Sequence, residues 1–250
     1  MQQDAENTLF EFLLRMGDTT LVLGHRLSEW CGKAPILEED IALANTALDF
    51  IGQTQMWLGL AGEVEGEGRS ADDLAMLRDA WDFRCCLLVQ QPNGDFAQTI
   101  MRQFLFDHWH LAMLRKLSNS EHDQIAAIAA KASKEVTYHA ERSTDLVIRL
   151  GDGTEESHGR MQRALDLLYP FVGELFAPDT TLPGIAESPA DLRPAYDDTI
   201  GAILSEATLR VPESRFAHHG GLTGARHSEH LGHLLTQMQW LQRAYPGAQW

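Results

Sequence analysis

Cysteine, basic residues and long apolar runs are all scarce in this 250-residue chain. The three cysteines, Cys31, Cys85 and Cys86, form no CxxC pair and no even set, which excludes a disulfide framework and predicts reduced thiols. The 20 basic residues are outnumbered by 36 acidic ones, giving a net charge of −16. Proteins bind nucleic acid and anionic membranes through clustered Lys and Arg, so we expect neither as a partner.

No uninterrupted apolar run approaches the length needed to span a membrane. The first residues are acidic and polar where a secretory signal peptide would be basic, so we expect a cytoplasmic protein. Phosphate-cradling glycine loops, dinucleotide fingerprints, and serine or cysteine nucleophile arrangements are also missing from the sequence.

Helical periodicity fills most of the chain, and no segment alternates convincingly as a strand. With 44% hydrophobic residues, 250 residues can bury one large core. We predict an all-α chain built on one bundle with extensions. Bundle helices are expected at about residues 7–31, 36–62, 96–117 and 123–150, a shorter helix at about 70–86, and extension helices at about 155–176, 190–209 and 228–244.

The predicted helix over 123–150 has the clearest buried stripe. Its inward residues recur at steps of three and four, with Val136 and His139 three apart on that stripe. In di-iron bundle enzymes this spacing carries Glu-x-x-His, whose two side chains reach the same pair of metals. The glutamate position is apolar here, and Glu135 lies about 100° round the helix, toward its charged face.

Polar residues also recur at helical spacing on two other predicted helices. The helix over 36–62 is apolar nearly all round and should be the most enclosed in the molecule, yet Asn45, Asp49 and Gln53 form a polar ladder on it. On the helix over 96–117, Gln103, Asp107 and His110 share one polar edge. Three histidines near the last helix, His227, His230 and His233, have no cysteine or well-placed carboxylate to complete a metal shell, so they are predicted to be solvated or interface residues.

These polar residues allow two interpretations. An autonomous di-metal carboxylate oxidase would use Asp49, Asp107, His110 and His139 as ligands. A di-iron site, however, needs several carboxylates and a histidine for each iron, and the supply falls short. The favoured interpretation is a buried hydrogen-bond network, because buried polar groups are costly unless they are paired. Its expected members are Asn45, Asp49, Gln53, Asp107, His110 and His139.

Four segments resemble one known family, the C subunits of the multicomponent phenylacetyl-CoA epoxidases. The resemblance covers nearly the whole chain and is specific in both sequence and order. The segments are LVLGHRLSEWCGKAPILEEDIALANTALDFIGQ, LLVQQPNGDFAQTIMRQFLFDHWH, KEVTYHAERSTDLVIRLGDGTEES and HSEHLGHLLTQMQWLQRAYPGAQW.

The resemblance implies a ferritin-like four-helix bundle with additional C-terminal helices, residues 1–250 forming a single ferritin-like domain. It implies a non-catalytic structural subunit with no cofactor of its own, which supports a homologous catalytic subunit. That partner would carry the di-iron centre, and a reductase with flavin and iron-sulfur groups would supply electrons from NADPH. A homodimer is also possible, and a free-standing small-molecule-binding bundle is a third class of function.

The residues agree with what the resemblance implies. Where the catalytic subunits of the family have Asp-Glu-x-x-His, this sequence has Phe50 in place of glutamate and Gln53 in place of histidine. Where they have Glu-x-x-His on a later helix, it has Val136 and then His139. We therefore expect no catalytic residue and no metal ligand in this chain.

The C-terminal stretch is the predicted partner interface. Leu234, Met238 and Leu241 form a stripe that packs either on the partner or on the chain's own bundle. Trp240 and Trp250 lie off that stripe, and Trp is enriched among binding hot spots. We predict that these two tryptophans meet the partner.

Overall fold

The computed structural model describes residues 2–178, 188–213 and 217–248 of the chain. These ranges contain helices, turns and no strand, which confirms the predicted all-α class. No helix within them is both long and apolar enough to cross a membrane. The α-helices are α1 (Gln2–Ser28), α2 (Leu37–Glu65), α3 (Ala71–Met76), α4 (Leu87–Gln90), α5 (Phe96–Leu117), α6 (Asp123–Gly151), α7 (Glu155–Leu168), α8 (Arg193–Glu206) and α9 (Glu229–Ala244).

The prediction of one helix over 70–86 is wrong after Met76, where α3 ends. Ser70 does cap α3, since its hydroxyl accepts a hydrogen bond from the Asp73 N–H at 3.1 Å. The chain then leaves the helix and restarts at Asp79, which is extended and opens a short 3-10 turn, Ala80–Asp82. The Asp82 carboxylate accepts from the Asp79 N–H at 3.0 Å. Aspartate favours such caps because its side chain competes for nearby backbone groups.

Two predicted extension helices are each divided by proline. The segment 155–176 is α-helical only to Leu168, and Tyr169–Phe176 continues as a 3-10 helix with Pro170 near its start. The segment 190–209 begins as a 3-10 turn, Pro189–Leu192, and α8 follows with Pro194 as its second residue. Proline has no N–H to donate and its ring crowds the preceding turn, so each break follows from backbone chemistry.

The described residues divide into two compact units. Unit 1 contains residues 2–92 and 220–248, and therefore α1 to α4 and α9. Unit 2 contains residues 93–178, 188–213 and 217–219, and therefore α5 to α8. The single ferritin-like domain over 1–250 stays a prediction.

In unit 1, α1 and α2 pack antiparallel at very close range. A Cβ added to Gly17 would lie 2.5 Å from Leu58 Cδ2, and one added to Gly24 would lie 3.2 Å from the Ala47 carbonyl oxygen. Between these contacts the hydroxyls of Thr20 and Thr54 are 2.9 Å apart and hydrogen-bonded. The two glycines thus let the helix backbones approach each other, as small residues do at tight helix crossings.

This packing encloses α1 and leaves one face of α2 open. Residues 12–27 of α1 are buried except for two half-buried positions, Arg15 and His25. On α2, by contrast, Leu37, Ile41 and Leu48 are 70%, 53% and 68% exposed. The prediction that the helix over 36–62 is the most enclosed is therefore wrong. Its nearly continuous apolar composition supplies a second apolar face that α1 does not cover.

A buried ion pair joins α1 to the segment after α3. The Arg78 guanidinium donates through Nη1 to Asp18 Oδ2 at 3.1 Å and through Nη2 to Asp18 Oδ1, and the Arg84 N–H donates to Oδ2 at 2.8 Å. The Arg78 guanidinium also lies 4.5 Å from the Phe83 ring centroid. Gln239 of α9 donates to the Ala75 and Arg78 carbonyls at 3.0 Å each, so the C-terminal helix is fixed to the same place.

Unit 2 is organised around an antiparallel pair, α5 and α6. The predicted inward stripe of α6 is confirmed, with Val136, His139 and Ser143 all buried. Helix α8 packs on the pair, and the Tyr196 hydroxyl donates to the Leu105 carbonyl at 3.0 Å. The α5 and α6 helices therefore present their polar residues to each other inside a closed core.

Removing one member of the Asp18–Arg78 pair should destabilise the protein strongly. Arg78→Met leaves the Asp18 carboxylate buried without its cation, which typically costs roughly 3–5 kcal/mol. We expect a large drop in the urea midpoint, and a smaller combined loss when Asp18→Asn is added. Arg149→Met is the matched control, because the Arg149–Asp145 pair is 71% and 61% exposed and should contribute little. Equal urea midpoints for Arg78→Met and Arg149→Met would contradict the stabilising role assigned to the Asp18–Arg78 pair.

Candidate functional site

Five polar side chains meet between α5 and α6, and we call them the α5–α6 polar cluster. They are Gln103, Asp107 and His110 of α5 with His139 and Ser143 of α6. Each is at most 3% exposed. The sequence places them correctly on two helix faces, because residues three and four apart lie on one side of a helix. The structure adds that these two faces meet.

Both carboxylate oxygens of Asp107 are engaged by neighbouring side chains. Gln103 Nε2, one turn earlier on α5, donates to Asp107 Oδ1 at 3.2 Å. Ser143 Oγ, on α6, donates to Oδ2 at 3.1 Å. Ser143 was missing from the predicted network, although it lies four residues after His139 on the same inward stripe. That spacing was the signal that could have found it.

Burial governs the protonation of the cluster. It raises the pKa of Asp107 to about 7, against smaller opposing effects from the charge of His139, the Ser143 hydrogen bond and Arg142. Burial also lowers the pKa of His110 to about 3, and the charge of His139 acts in the same direction. His110 is therefore neutral at physiological pH, and its ring stacks on Phe106 with centroids 5.0 Å apart.

The donors present do not fit a carboxylate-bridged di-iron site. Val136, one turn before His139, is completely buried and apolar, and so is Phe50 on α2. Throughout the described ranges no three His, Cys, Asp or Glu side chains converge in a way that could hold a metal ion. A site for two irons needs several carboxylates to balance the metal charge. The absence of iron from the protein itself stays a prediction.

The predicted ladder on α2 is only partly buried. Gln53 is buried and Asp49 is half-buried, but Asn45 is exposed, so its membership of a buried network is wrong. Asn45 shares a helix face with Ile41 and Leu48, and that is the face left open by α1. In the alternative interpretation, a di-metal oxidase, Asp49 would be a ligand together with Asp107, His110 and His139. Asp49 belongs to unit 1, whereas the other three belong to unit 2.

The predicted interface residue Trp240 is 60% exposed on α9. It borders an open groove of about 510 Å³ that is also lined by Leu235, Gln239 and Arg243. Of the neighbouring stripe, Leu234 is buried while Met238 and Leu241 are half-buried, so that stripe packs mainly on its own unit. The other predicted interface residue, Trp250, lies outside the described residues.

The histidines before and within α9 serve different contacts. His227 Nδ1 is 3.0 Å from Gln90 Nε2, and the Gln90 side chain also accepts from the Ser228 N–H at 2.8 Å. The His230 carbonyl accepts from Arg26 Nη2 at 3.3 Å. His233 is exposed. His227 therefore helps to attach the C-terminal segment to α4, within unit 1.

Comparison with known proteins places the chain in a family. The family model described as phenylacetic acid catabolic protein matches residues 1–250. The chain belongs to this family. It is also 47% identical over 249 residues to the C subunit of the 1,2-phenylacetyl-CoA epoxidase of Escherichia coli (strain K12), an alignment that covers 98% of this chain and 100% of that protein. Together with the helical content, the family supports the predicted ferritin-like helical-bundle class.

Asp107 should make the stability of the protein depend on pH. The unfolded carboxyl ionises near pH 3.8 and the folded one near 7, so the free energy of unfolding falls as pH rises between these values and then stays low. The loss is at most about 4 kcal/mol at roughly 1.4 kcal/mol per pKa unit. The asparagine side chain of the Asp107→Asn variant cannot ionise. The free energy of unfolding of this variant, relative to that of the wild type, should therefore rise from pH 5 to pH 8.

Denaturant unfolding of both proteins at the two pH values measures this difference. Burial of His110 has the opposite effect, since its lowered pKa makes stability fall as pH falls below 6.5. That contribution is present in both proteins and cancels in the comparison. If the difference in free energy of unfolding between the two proteins is the same at pH 5 and at pH 8, the pKa of Asp107 is not raised by burial.

Proposed function

We propose that this chain is a non-catalytic structural subunit of a cytoplasmic phenylacetyl-CoA epoxidase complex. In this proposal it supports a homologous catalytic subunit that carries the di-iron centre, and a separate reductase with flavin and iron-sulfur groups delivers electrons from NADPH. The observation that carries the proposal is Val136, a buried valine at the position from which a glutamate would reach iron together with His139.

The internal bonding of Asp107 supports the same conclusion. Its two oxygens already accept hydrogen bonds from Gln103 and Ser143. A metal ligand must instead offer a lone pair to the cation. Asp107 instead acts as a core residue that holds α5 against α6. The relative's printed name, a subunit of an epoxidase, supports a role within a complex.

The first test is the metal content of the purified chain. We expect no stoichiometric iron after expression in iron-supplemented medium, because the donor set lacks the carboxylates that a di-iron site requires. Elemental analysis and absorption spectroscopy measure this, with the separately purified catalytic subunit as the positive control. About two irons per chain would instead favour the autonomous di-metal oxidase that uses Asp49, Asp107, His110 and His139.

A second test concerns Trp240. Replacing it with alanine should weaken co-purification with the catalytic subunit and lower epoxidase turnover of the reconstituted complex, because an exposed tryptophan offers a large contact area that alanine removes. The protein alone should keep its helical circular dichroism spectrum. Trp240→Phe retains an aromatic ring at the same position and should bind nearly normally. Full assembly and turnover by Trp240→Ala would place the interface elsewhere.

A further inference from the structure

Helix α2 carries a row of exposed apolar side chains, which we call the α2 stripe. It consists of Leu37, Ile41, Ala44, Leu48 and Ile51. Ala44 is half-buried, and the four larger residues are 70%, 53%, 68% and 37% exposed in chain order. Single exposed apolar residues are ordinary on protein surfaces, but a contiguous apolar patch commonly marks an interaction site.

The spacing of the α2 stripe indicates the shape of what covers it. Its members recur at alternating steps of four and three, an average of 3.5 residues. A stripe of that spacing runs along one side of the helix, where a second amphipathic helix can pack lengthwise against it. The stripe extends for about 21 Å at 1.5 Å per residue. It therefore fits the apolar seam of another helix.

The charges around the α2 stripe indicate which residues should flank the apolar seam of the partner helix. Residues 34–54, which contain the stripe, have no Lys or Arg and four acidic residues, Glu38, Glu39, Asp40 and Asp49. Glu38, which follows Leu37 and precedes Ile41 by three positions, is exposed. The middle of the stripe, from Ile41 to Leu48, has no charged residue. A partner helix with Lys or Arg beside its apolar seam would complement this surface.

A second copy of this chain would complement the α2 stripe less well than a helix flanked by basic residues. Each copy would bring its own acidic residues to the interface without any basic residue from 34–68 to pair with them. With a net charge of −16, two copies also repel each other at longer range. The charge pattern thus favours a different polypeptide over self-association.

We propose that the α2 stripe is a docking surface for a basic-flanked amphipathic helix of the catalytic subunit. The identity of that partner rests on the proposed function, whereas the surface and the chemistry of its occupant come from α2 itself. The stripe lies on a different helix from Trp240, so the two surfaces can be tested separately.

The test measures the affinity of the full chain for the separately purified catalytic subunit by a surface-based binding assay. Ile41→Gln with Leu48→Gln removes apolar contact without adding charge, and should weaken binding at least about tenfold. Glu38→Lys should weaken binding severalfold at low salt, and this effect should shrink at high salt as charges are screened. Leu167→Gln on α7 is the matched control, because Leu167 is 52% exposed in unit 2.

Each result separates the alternatives. Weaker binding by the α2 variants, with normal binding by Leu167→Gln and unchanged melting temperatures, supports the proposal. Normal binding by the α2 variants overturns it and leaves the proposed function intact. If the wild type sediments as a dimer that Ile41→Gln with Leu48→Gln dissociates, while binding to the catalytic subunit is unaffected, the stripe belongs to a homodimer and the proposal is wrong. If the wild type itself does not bind the catalytic subunit, the proposed function fails and the named partner fails with it.

Discussion

The buried ion pair between Asp18 and Arg78 links α1 to the segment after α3 within unit 1. A carboxylate with no exposure requires a partner at its own depth, and Arg78 meets it with two donors while the Arg84 N–H provides a third. Arg78 follows the end of α3, and its contact with Asp18 brings the turn after α3 against α1. That turn offers the Ala75 and Arg78 carbonyls to Gln239 of α9. The contacts around this ion pair thus connect α1, the segment after α3 and α9.

In unit 2 a buried carboxyl group is hydrogen-bonded by uncharged side chains. Asp107 is as deeply buried as Asp18, but its partners are an amide and a hydroxyl where Asp18 has a guanidinium. Burial raises the pKa of both carboxyl groups. It outweighs the opposing effect of Arg78 at Asp18, and at Asp107 it outweighs those of His139, Ser143 and Arg142 and raises the pKa to about 7. The carboxyl group then serves as a partly protonated core residue. In a bundle that holds metal ions, carboxylates in this layer would offer their oxygens to the cations, whereas both oxygens of Asp107 accept hydrogen bonds from side chains.

Much of the fold could be predicted because helical periodicity and capping are local properties. The inward stripe of α6, the cap at Ser70 and the polar edge of α5 all depend on residues within a few turns of one another. The errors have equally specific causes. The helix over 70–86 was interrupted by the second cap at Asp79, and the enclosure of α2 was inferred from its composition. An all-round apolar helix is buried only if enough neighbours surround it, and α1 covers one side of α2.

The sequence by itself determined most of the helices, the valine at position 136 in place of a glutamate, and the acidic character of residues 34–68. Each of these depends only on residues that are close together in the sequence. Only the tertiary structure decided that Asp18 pairs with Arg78, that Ser143 completes the bonding of Asp107, and that Asn45 lies on an exposed face beside Leu48. The first two contacts join residues 60 and 36 positions apart, and the third depends on which side of α2 faces α1. Side-chain spacing shows which residues share a helix face, but the neighbour that covers this face is chosen by packing of the whole unit.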